Sequence, residues 1–199
     1  ASGTVWVDMD DVGVDVLISA PQKGWSASPC SALVMLSEAG RDAVKATTSS
    51  SFACDLGKWL EIMEAYEGGG HAYHATMPTD ALRRFHHVML ETRDYGYDKV
   101  RDEQLELGAQ VRKLLASRGF PSVAAEGFEA PGVVVAYTDD SGLAGKFAAA
   151  GLQIAAGVPL RCDEGDDFST FRIGLFGLEK LHDVDQTVAR LSAALDQIS

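Results

Sequence analysis

The sequence alternates short runs rich in Val, Leu and Ile with longer segments in which apolar residues recur every three or four positions. The short runs predict buried strands, and the longer segments predict helices that bury one stripe. This alternation restricts the chain to an α/β fold. We predict strands over residues 4–8, 14–19, 32–37, 133–138 and 170–176. We predict helices over residues 38–45, 55–66, 101–118 and 143–151. A further helix, beginning ALRRFHHVMLE, would be capped by Thr79 or Asp80, and the last helix would extend from Leu181 to Ile198.

The predicted elements divide into two parts. The runs in the first 80 or so residues lack polar alternation, so we expect strands that are buried on both faces, at the end of a mostly parallel sheet covered by helices. The rest of the chain predicts a smaller α/β unit. We place the division between residues 85 and 86.

Composition excludes several classes of partner. The net charge is −12, from 29 acidic and 17 basic residues, which argues against nucleic acid because its phosphates must be neutralised by Lys and Arg. No apolar run approaches the roughly 20 residues that cross a bilayer. The three cysteines are odd in number and far apart, which favours reduced thiols over a disulfide framework. We therefore predict a cytoplasmic protein without nucleic-acid or membrane partners.

Lys23 lies in a loop of small residues directly after a predicted strand, within the stretch ISAPQKGWSASP. Ligands usually bind where strands of an α/β sheet end, and a lysine held there beside an aldehyde forms a Schiff base. Ala20 and Gly24 leave room for a flat cofactor. Most loop lysines are merely solvated, however, so these residues alone favour a solvated turn.

Other residues suggest chemistry more weakly. His71 and His74 have the spacing of a metal-binding pair, but no carboxylate or cysteine completes a ligand set around them. The acidic cluster over residues 163–167 lacks the spacing of a calcium loop and predicts a solvated turn. Cys30 is close to Lys23 in sequence, but nothing marks it as a nucleophile. We predict no metal site.

Three segments follow one another along the chain, with fitting secondary structure between them. Residues 14–25 read VDVLISAPQKGW, residues 73–78 read YHATMP, and residues 171–174 read FRIG and are followed by Gly177. The first resembles the Schiff-base segment of class V pyridoxal-phosphate aminotransferases, the alanine–glyoxylate and serine–pyruvate group. The other two resemble the Tyr-His-x-Thr-x-Pro and aromatic-Arg-Ile-Gly segments of that family. The resemblance therefore extends along the whole chain.

The resemblance implies a role for each matching residue. Lys23 would form the Schiff base with pyridoxal phosphate and then act as the general base that moves the substrate α-proton. Gln22 would bind the cofactor phosphate, as would Tyr73 and Thr76, which in this family reach the cofactor of the neighbouring subunit. Arg172 would hold the substrate α-carboxylate in a bidentate pair, which a planar guanidinium does better than a lysine.

The resemblance also implies how the chain is organised. Residues 1–85 would be the C-terminal part of the large, mixed-sheet, cofactor-binding domain of a fold-type I enzyme, and residues 86–199 its small C-terminal α/β domain. The family's acidic partner of the pyridine nitrogen would lie upstream of Ala1. We therefore expect a fragment of a homodimeric enzyme with sites at the subunit interface, and we expect the fragment alone to be inactive.

The function implied is transamination between a small amino acid, alanine or serine-like, and a 2-oxo acid such as glyoxylate or pyruvate. A lyase of the same fold, a non-catalytic dimerisation or binding fragment, and a metal-dependent hydrolase remain alternatives. Trp25 has two interpretations as well, since it either stacks near the site or fills a domain interface.

Overall fold

A computed structural model of the chain describes residues 3–198. Its elements, in chain order, are α1 (Met9–Val12), β1 (Val16–Ser19), β2 (Leu33–Leu36), α2 (Glu38–Ala46), α3 (Leu56–Glu67), α4 (Thr79–Tyr95), α5 (Tyr97–Ser117), β3 (Val133–Tyr137), α6 (Leu143–Ala149), β4 (Ala155–Ala156), β5 (Thr170–Gly174), α7 (Leu178–Leu181) and α8 (Val184–Ile198). Helices and short strands are mixed, which confirms the predicted α/β class. Within the described part of the chain, no helix combines the length and the apolar character needed to cross a membrane.

The N-terminal strands form a two-stranded antiparallel sheet, with Val16 opposite Leu36 and Ser19 opposite Leu33. The prediction of a mostly parallel sheet is therefore wrong for these strands. A parallel pair needs a crossover, usually a helix, whereas β1 and β2 are joined by a loop over residues 20–32. The expected burial on both faces is wrong within this chain too, since Ile18 is 66% exposed.

The predicted strand over residues 4–8 is also wrong. The chain there enters α1 instead, because a side-chain oxygen of Asp8 accepts hydrogen bonds from the backbone N–H groups of Asp10 and Asp11, at 3.0 and 3.3 Å. An aspartate that caps a helix in this way satisfies donors that would otherwise be unpaired. The local cap thus overrides the strand tendency of the preceding apolar residues.

Two long consecutive helices connect the two parts of the molecule. α4 and α5 meet at Gly96, whose φ of 104° is one that a side chain rarely permits. The predicted cap of α4 is wrong: Pro78 occupies the cap position and no side chain bonds there. α4 continues through residues 85 and 86, where we placed the domain division. That division stays a prediction, and its outer ends at residues 1 and 199 lie outside the described residues.

The C-terminal part has a three-stranded antiparallel sheet in the order β3-β5-β4, with helices packed on one face. Register places Phe171 opposite Ala136 and Ile173 opposite Val134, and all four side chains are buried. They pack with apolar side chains of the helices, including Leu107, Val111, Leu115, Phe147, Leu191 and Leu195. The predicted last helix is interrupted, because Asp183 accepts a hydrogen bond from the backbone N–H of Gln186 and so starts α8 anew.

Two polar side chains of α5 fix the segment that leads into β3. Gln104 is almost fully buried, and its amide donates to the carbonyl oxygen of Pro131 at 3.1 Å. The guanidinium of Arg112 donates to the carbonyl oxygens of Ala130 and Val133. Burial lowers the pKa of Arg112. These contacts attach the beginning of the C-terminal sheet to α5.

Candidate functional site

The loop that carries Lys23 has a fixed backbone and an exposed side chain. The N–H of Lys23 donates to the carbonyl of Ala20 at 3.4 Å, and its own carbonyl accepts from Ser26 at 2.8 Å. A further bond of 2.9 Å joins Ala27 to the carbonyl of Pro21, which is fully buried. The side chains of Gln22 and Lys23 are both exposed. The turn therefore presents these two side chains to the outside of the chain from a rigid base.

The residues after Lys23 attach the loop to the rest of the molecule. A Cβ added to Gly24 would press on the carbonyl carbon of Gly3 and lie 2.7 Å from its Cα, so the two backbones are in direct contact. The ring of Trp25 meets Phe85 of α4 edge-on, with centroids 5.9 Å apart. Of the two interpretations of Trp25, the contact made within this chain is the packing one.

The structure places the hydroxyl groups of Tyr73 and Thr76 next to each other. Their hydroxyl oxygens lie within hydrogen-bond distance of each other, at 2.9 Å, and Tyr73 is 77% exposed. Both belong to a loop between α3 and α4. The exposed pair offers two hydroxyl groups on the same side of this loop.

His74 anchors that loop rather than offering a free ligand. Its Nε2 lies 2.9 Å from the carbonyl oxygen of Phe52. The centre of its ring lies 4.2 Å from that of the tilted Phe52 ring and 5.1 Å from that of the Trp59 ring, which it meets edge-on. Between residues 3 and 198, no three His, Cys, Asp or Glu side chains are grouped so that they could hold a metal ion. His74 therefore positions Tyr73 and Thr76.

Arg172 lies in the middle of β5, opposite Val135 of β3 and Ala155 of β4. Its neighbours Phe171 and Ile173 face the buried core, so alternation along the strand directs Arg172 to the other face of the sheet. Its Nε donates to the carbonyl oxygen of Ala156 at 3.1 Å. This bond uses one N–H of the guanidinium and leaves its two terminal nitrogens for a carboxylate.

These site residues lie on separate elements. Among the described residues, no hydrogen bond or ion pair joins the side chain of Lys23 to that of Tyr73, Thr76 or Arg172. A ligand that touches all of them would have to span the loop after β1, the loop before α4 and the open face of β5. The structure thus brings Tyr73 and Thr76 together and leaves Lys23 and Arg172 apart from them.

A cleft of about 730 Å³ lies elsewhere, between α6, β4 and the loop before β5. On the sheet, Ala156, Thr170 and Phe171 line it. The predicted site residues do not line it. At its rim, Glu164 accepts hydrogen bonds from the backbone N–H groups of Arg161 and Cys162, which lowers the pKa of that carboxyl group. Part of the acidic cluster is thus committed to holding its own turn.

Sequence reasoning missed the residues that position the candidate site. Gly24 contacts the backbone of Gly3, and a Cβ on Gly132 would lie 2.7 Å from the methyl carbon of Thr4. Both contacts join segments that are distant along the chain. The signal available in the sequence is limited to the presence of glycine, which does not identify its neighbour.

Comparison with solved structures identifies the fold. Over 98% of its length the chain superposes on alanine–glyoxylate aminotransferase from Nostoc sp., with a TM-score of 0.77 and 17% identity, and it covers 51% of that chain. Aspartate aminotransferase from Thermus thermophilus gives 0.75 at 19% identity, with 99% of this chain and 53% of the other covered. Pyridoxamine–pyruvate aminotransferase from Mesorhizobium loti gives 0.74 at 18% identity, with 98% and 49% covered.

The predicted fold is therefore confirmed as one that these aminotransferases contain. The chain spans about half the length of the solved structures it matches. The sequence matches no protein-family model and no curated protein.

Proposed function

We propose that this chain is part of a pyridoxal-phosphate-dependent aminotransferase of class V that transfers an amino group between a small amino acid and a 2-oxo acid. The amino donor would be alanine or serine-like, and the acceptor glyoxylate or pyruvate. One observation carries the proposal. The Gln22-Lys23 pair lies exposed in a tight turn directly after β1, and the chain that holds it has the fold of aminotransferases.

The donor set suits the cofactor. Pyridoxal phosphate, when bound, supplies an aldehyde for an amine and a ring that withdraws electrons from the substrate α-carbon. Lys23 offers an exposed amine, and Gln22 offers an amide N–H beside it. Tyr73 and Thr76 offer hydroxyl groups, which donate to phosphate oxygens without adding charge.

Lys23 would have two tasks. Its amine would hold the cofactor through the aldehyde, with loss of water. Once the amino group of the substrate has displaced it, the freed amine would move the proton of the substrate α-carbon. A base tethered a few bonds from the carbon it deprotonates has a high effective concentration. The fixed turn around Lys23 favours this, because only the flexible side chain has to move.

Arg172 would bind the substrate α-carboxylate. Its Nε is fixed on the carbonyl of Ala156, so the plane of the guanidinium is oriented by the strand beside it. The remaining N–H groups form a fork that matches a carboxylate. A positioned cation of this kind orients the bond that breaks at the α-carbon.

We further propose that the complete protein is a homodimer, in which Tyr73 and Thr76 complete the partner's site. Their exposure, and the absence of a contact with Lys23 among residues 3–198, support this arrangement. The cytoplasm is the compartment we expect, because the cysteines of the described chain are free thiols.

The test is a peptide mass map of the full-length gene product, incubated with pyridoxal phosphate and reduced with borohydride. A pyridoxyl group on the Lys23 peptide is the expected result. The Lys23→Ala variant serves as the control and should lose that adduct together with transamination of alanine. If the full-length protein acquires no adduct on this peptide, the proposed activity is wrong and a non-catalytic binding role replaces it.

A further inference from the structure

Residues 3–6, which we name the spacer segment, lie between the loop that carries Lys23 and the residues that lead into the sheet of Arg172. The first residue of the spacer segment contacts Gly24, and a Cβ added to Gly24 would lie 2.7 Å from both the Cα and the carbonyl oxygen of Gly3. Real Cβ atoms do not approach backbone this closely, so one of the two backbones would have to move. Because Gly24 follows Lys23 directly, the position of the lysine depends on this contact.

The second residue of the spacer segment contacts the other side. Thr4 is buried, and its Cγ2 and Oγ1 lie 2.7 and 2.8 Å from the position of a Cβ on Gly132. The carbonyl of Gly132 accepts a hydrogen bond of 2.9 Å from the N–H of Leu175. Leu175 directly follows β5, the strand that carries Arg172.

The end of the spacer segment is held as well. The guanidinium of Arg101, on α5, lies 4.7 Å from the centre of the Trp6 ring, which is the geometry of a cation–π contact. The spacer segment is thus fixed to α5. Its first residue contacts the loop that carries Lys23, and its second residue contacts Gly132, directly before β3.

We infer that the spacer segment sets the position of Lys23 relative to Arg172, with Gly24 and Gly132 as the positioning residues at its two contacts. The inference rests on the proposed function, because the separation matters only if both residues act on one substrate. Neither glycine has a left-handed φ, so alanine is compatible with the backbone at both sites and any effect must come from the contact. A displacement of about 1 Å at a reacting group costs up to about a hundredfold in rate.

The test uses three alanine variants of the full-length protein. Gly24→Ala should displace Lys23 and raise the apparent Kd for pyridoxal phosphate, followed by absorbance and by borohydride labelling of the Lys23 peptide, about tenfold or more. Gly132→Ala should displace the sheet of Arg172 and raise the KM for alanine about tenfold, with labelling of Lys23 unchanged. Gly145→Ala is the matched control, because it lies on α6 with nothing within 4 Å of the added methyl group.

A second substitution tests the contact itself. Thr4→Ala removes the two atoms nearest the methyl group of Gly132→Ala and leaves Cε1 of Phe176 at 2.9 Å, so the double variant should recover part of the lost substrate affinity. Recovery of this kind does not follow if Gly132→Ala merely loosens the fold. Melting temperatures of all variants accompany the kinetics.

The outcomes separate the two proposals. An unlabelled wild-type protein contradicts the proposed function. A labelled wild-type protein with Gly24→Ala and Gly132→Ala both behaving like Gly145→Ala contradicts the spacer role. The spacer role is also wrong if both variants lose labelling and substrate affinity alike in proportion to a lower melting temperature, or if Thr4→Ala recovers nothing.

Discussion

The candidate site residues differ in how many of their side-chain polar groups already have partners within the described chain. Lys23 and Gln22 make no side-chain ion pair or hydrogen bond within the described chain and are exposed, while Arg172 is partly committed to the carbonyl of Ala156. Arg172 is thus oriented within this chain, whereas the side chain of Lys23 is free to move. This difference suits a carboxylate holder and a mobile base.

Replacing Arg172 by alanine should mainly weaken substrate binding. A carboxylate that loses a buried guanidinium partner loses about 2–5 kcal/mol, so the KM for alanine should rise by at least about thirtyfold. Steady-state kinetics of the full-length protein measure this change. Arg190→Ala, an exposed position on α8, is the control and should leave KM unchanged. Unchanged substrate affinity in Arg172→Ala would show that another group holds the carboxylate.

Asp140 gives a prediction on pH and stability. Its pKa is lowered first by the hydrogen bond from Lys146 and then by the backbone N–H of Gly142. A carboxyl group with a lowered folded-state pKa stabilises the fold above its ordinary pKa, near 4, and loses that contribution as the pH falls through the folded value. The difference in unfolding free energy between wild type and Asp140→Asn should therefore be constant from about pH 7 to 5 and disappear in more acidic solution.

Urea denaturation at a series of pH values measures this difference. Lys146→Met removes the first cause of the shift and should reproduce most of the same pH dependence. A difference between wild type and Asp140→Asn that persists at the acid end would instead point to a role of the side chain that does not depend on its charge.

The candidate site residues can be named from the sequence, whereas the residues that hold them in position cannot. Lys23, Tyr73, Thr76 and Arg172 stand in short local motifs, and in the structure the hydroxyl groups of Tyr73 and Thr76 lie 2.9 Å apart. Assembly of these residues into one site stays a prediction. The contact of Gly24 with Gly3 joins positions far apart in sequence, and no local pattern encodes it.

Secondary-structure elements were predictable where a periodic pattern was long. The stripe of Leu107, Val111 and Leu115 predicts α5, and these side chains are indeed buried in the core. Short elements depend on local hydrogen bonds instead. Asp8 caps α1, and residues 4–8, which we predicted as a strand, lead into that helix. The direction of β2 relative to β1 depends on the path of a loop, which composition does not specify.

Two helical glycines should respond to alanine with opposite sign. Alanine favours a helix over glycine by up to about 1 kcal/mol, and Gly145 on α6 has open space beside it, so Gly145→Ala should stabilise the protein. Gly108 on α5 faces Pro131, whose carbonyl oxygen and Cα lie 2.8 and 3.0 Å from an added Cβ. The crowding should outweigh the helix gain, and Gly108→Ala should destabilise the protein by about 1–3 kcal/mol.

Chemical denaturation of the two variants beside wild type measures both changes in one experiment. Each variant controls for the other, because the substitution and the secondary structure are the same. If Gly108→Ala were as stable as Gly145→Ala, the close packing of α5 on the segment before β3 would be absent in solution.

At the scale of the whole molecule, burial is uneven. The C-terminal sheet and its helices enclose a continuous core, whereas Trp6, Val16 and Ile18 in the N-terminal part are 58%, 45% and 66% exposed. Val16 and Ile18 share one face of β1, and an exposed apolar face is typical of an interaction surface. This exposure fits the proposal that the active form is a larger protein, in keeping with a chain that spans about half the length of the solved structures it matches.

The proposed dimer makes a prediction that only shared sites satisfy. One full-length variant carries Lys23→Ala, and the other carries Tyr73→Phe and Thr76→Ala, so each alone should lack labelling of Lys23 at a pyridoxal phosphate concentration that labels wild type. In a two-fold dimer with sites built across the interface, each mixed dimer has one site with all the wild-type residues and one without any. Random reassociation makes about half of the dimers mixed and should restore about a quarter of the wild-type labelling. If Tyr73 and Thr76 instead served the Lys23 of their own chain, mixing would restore nothing, because every site would keep one defect.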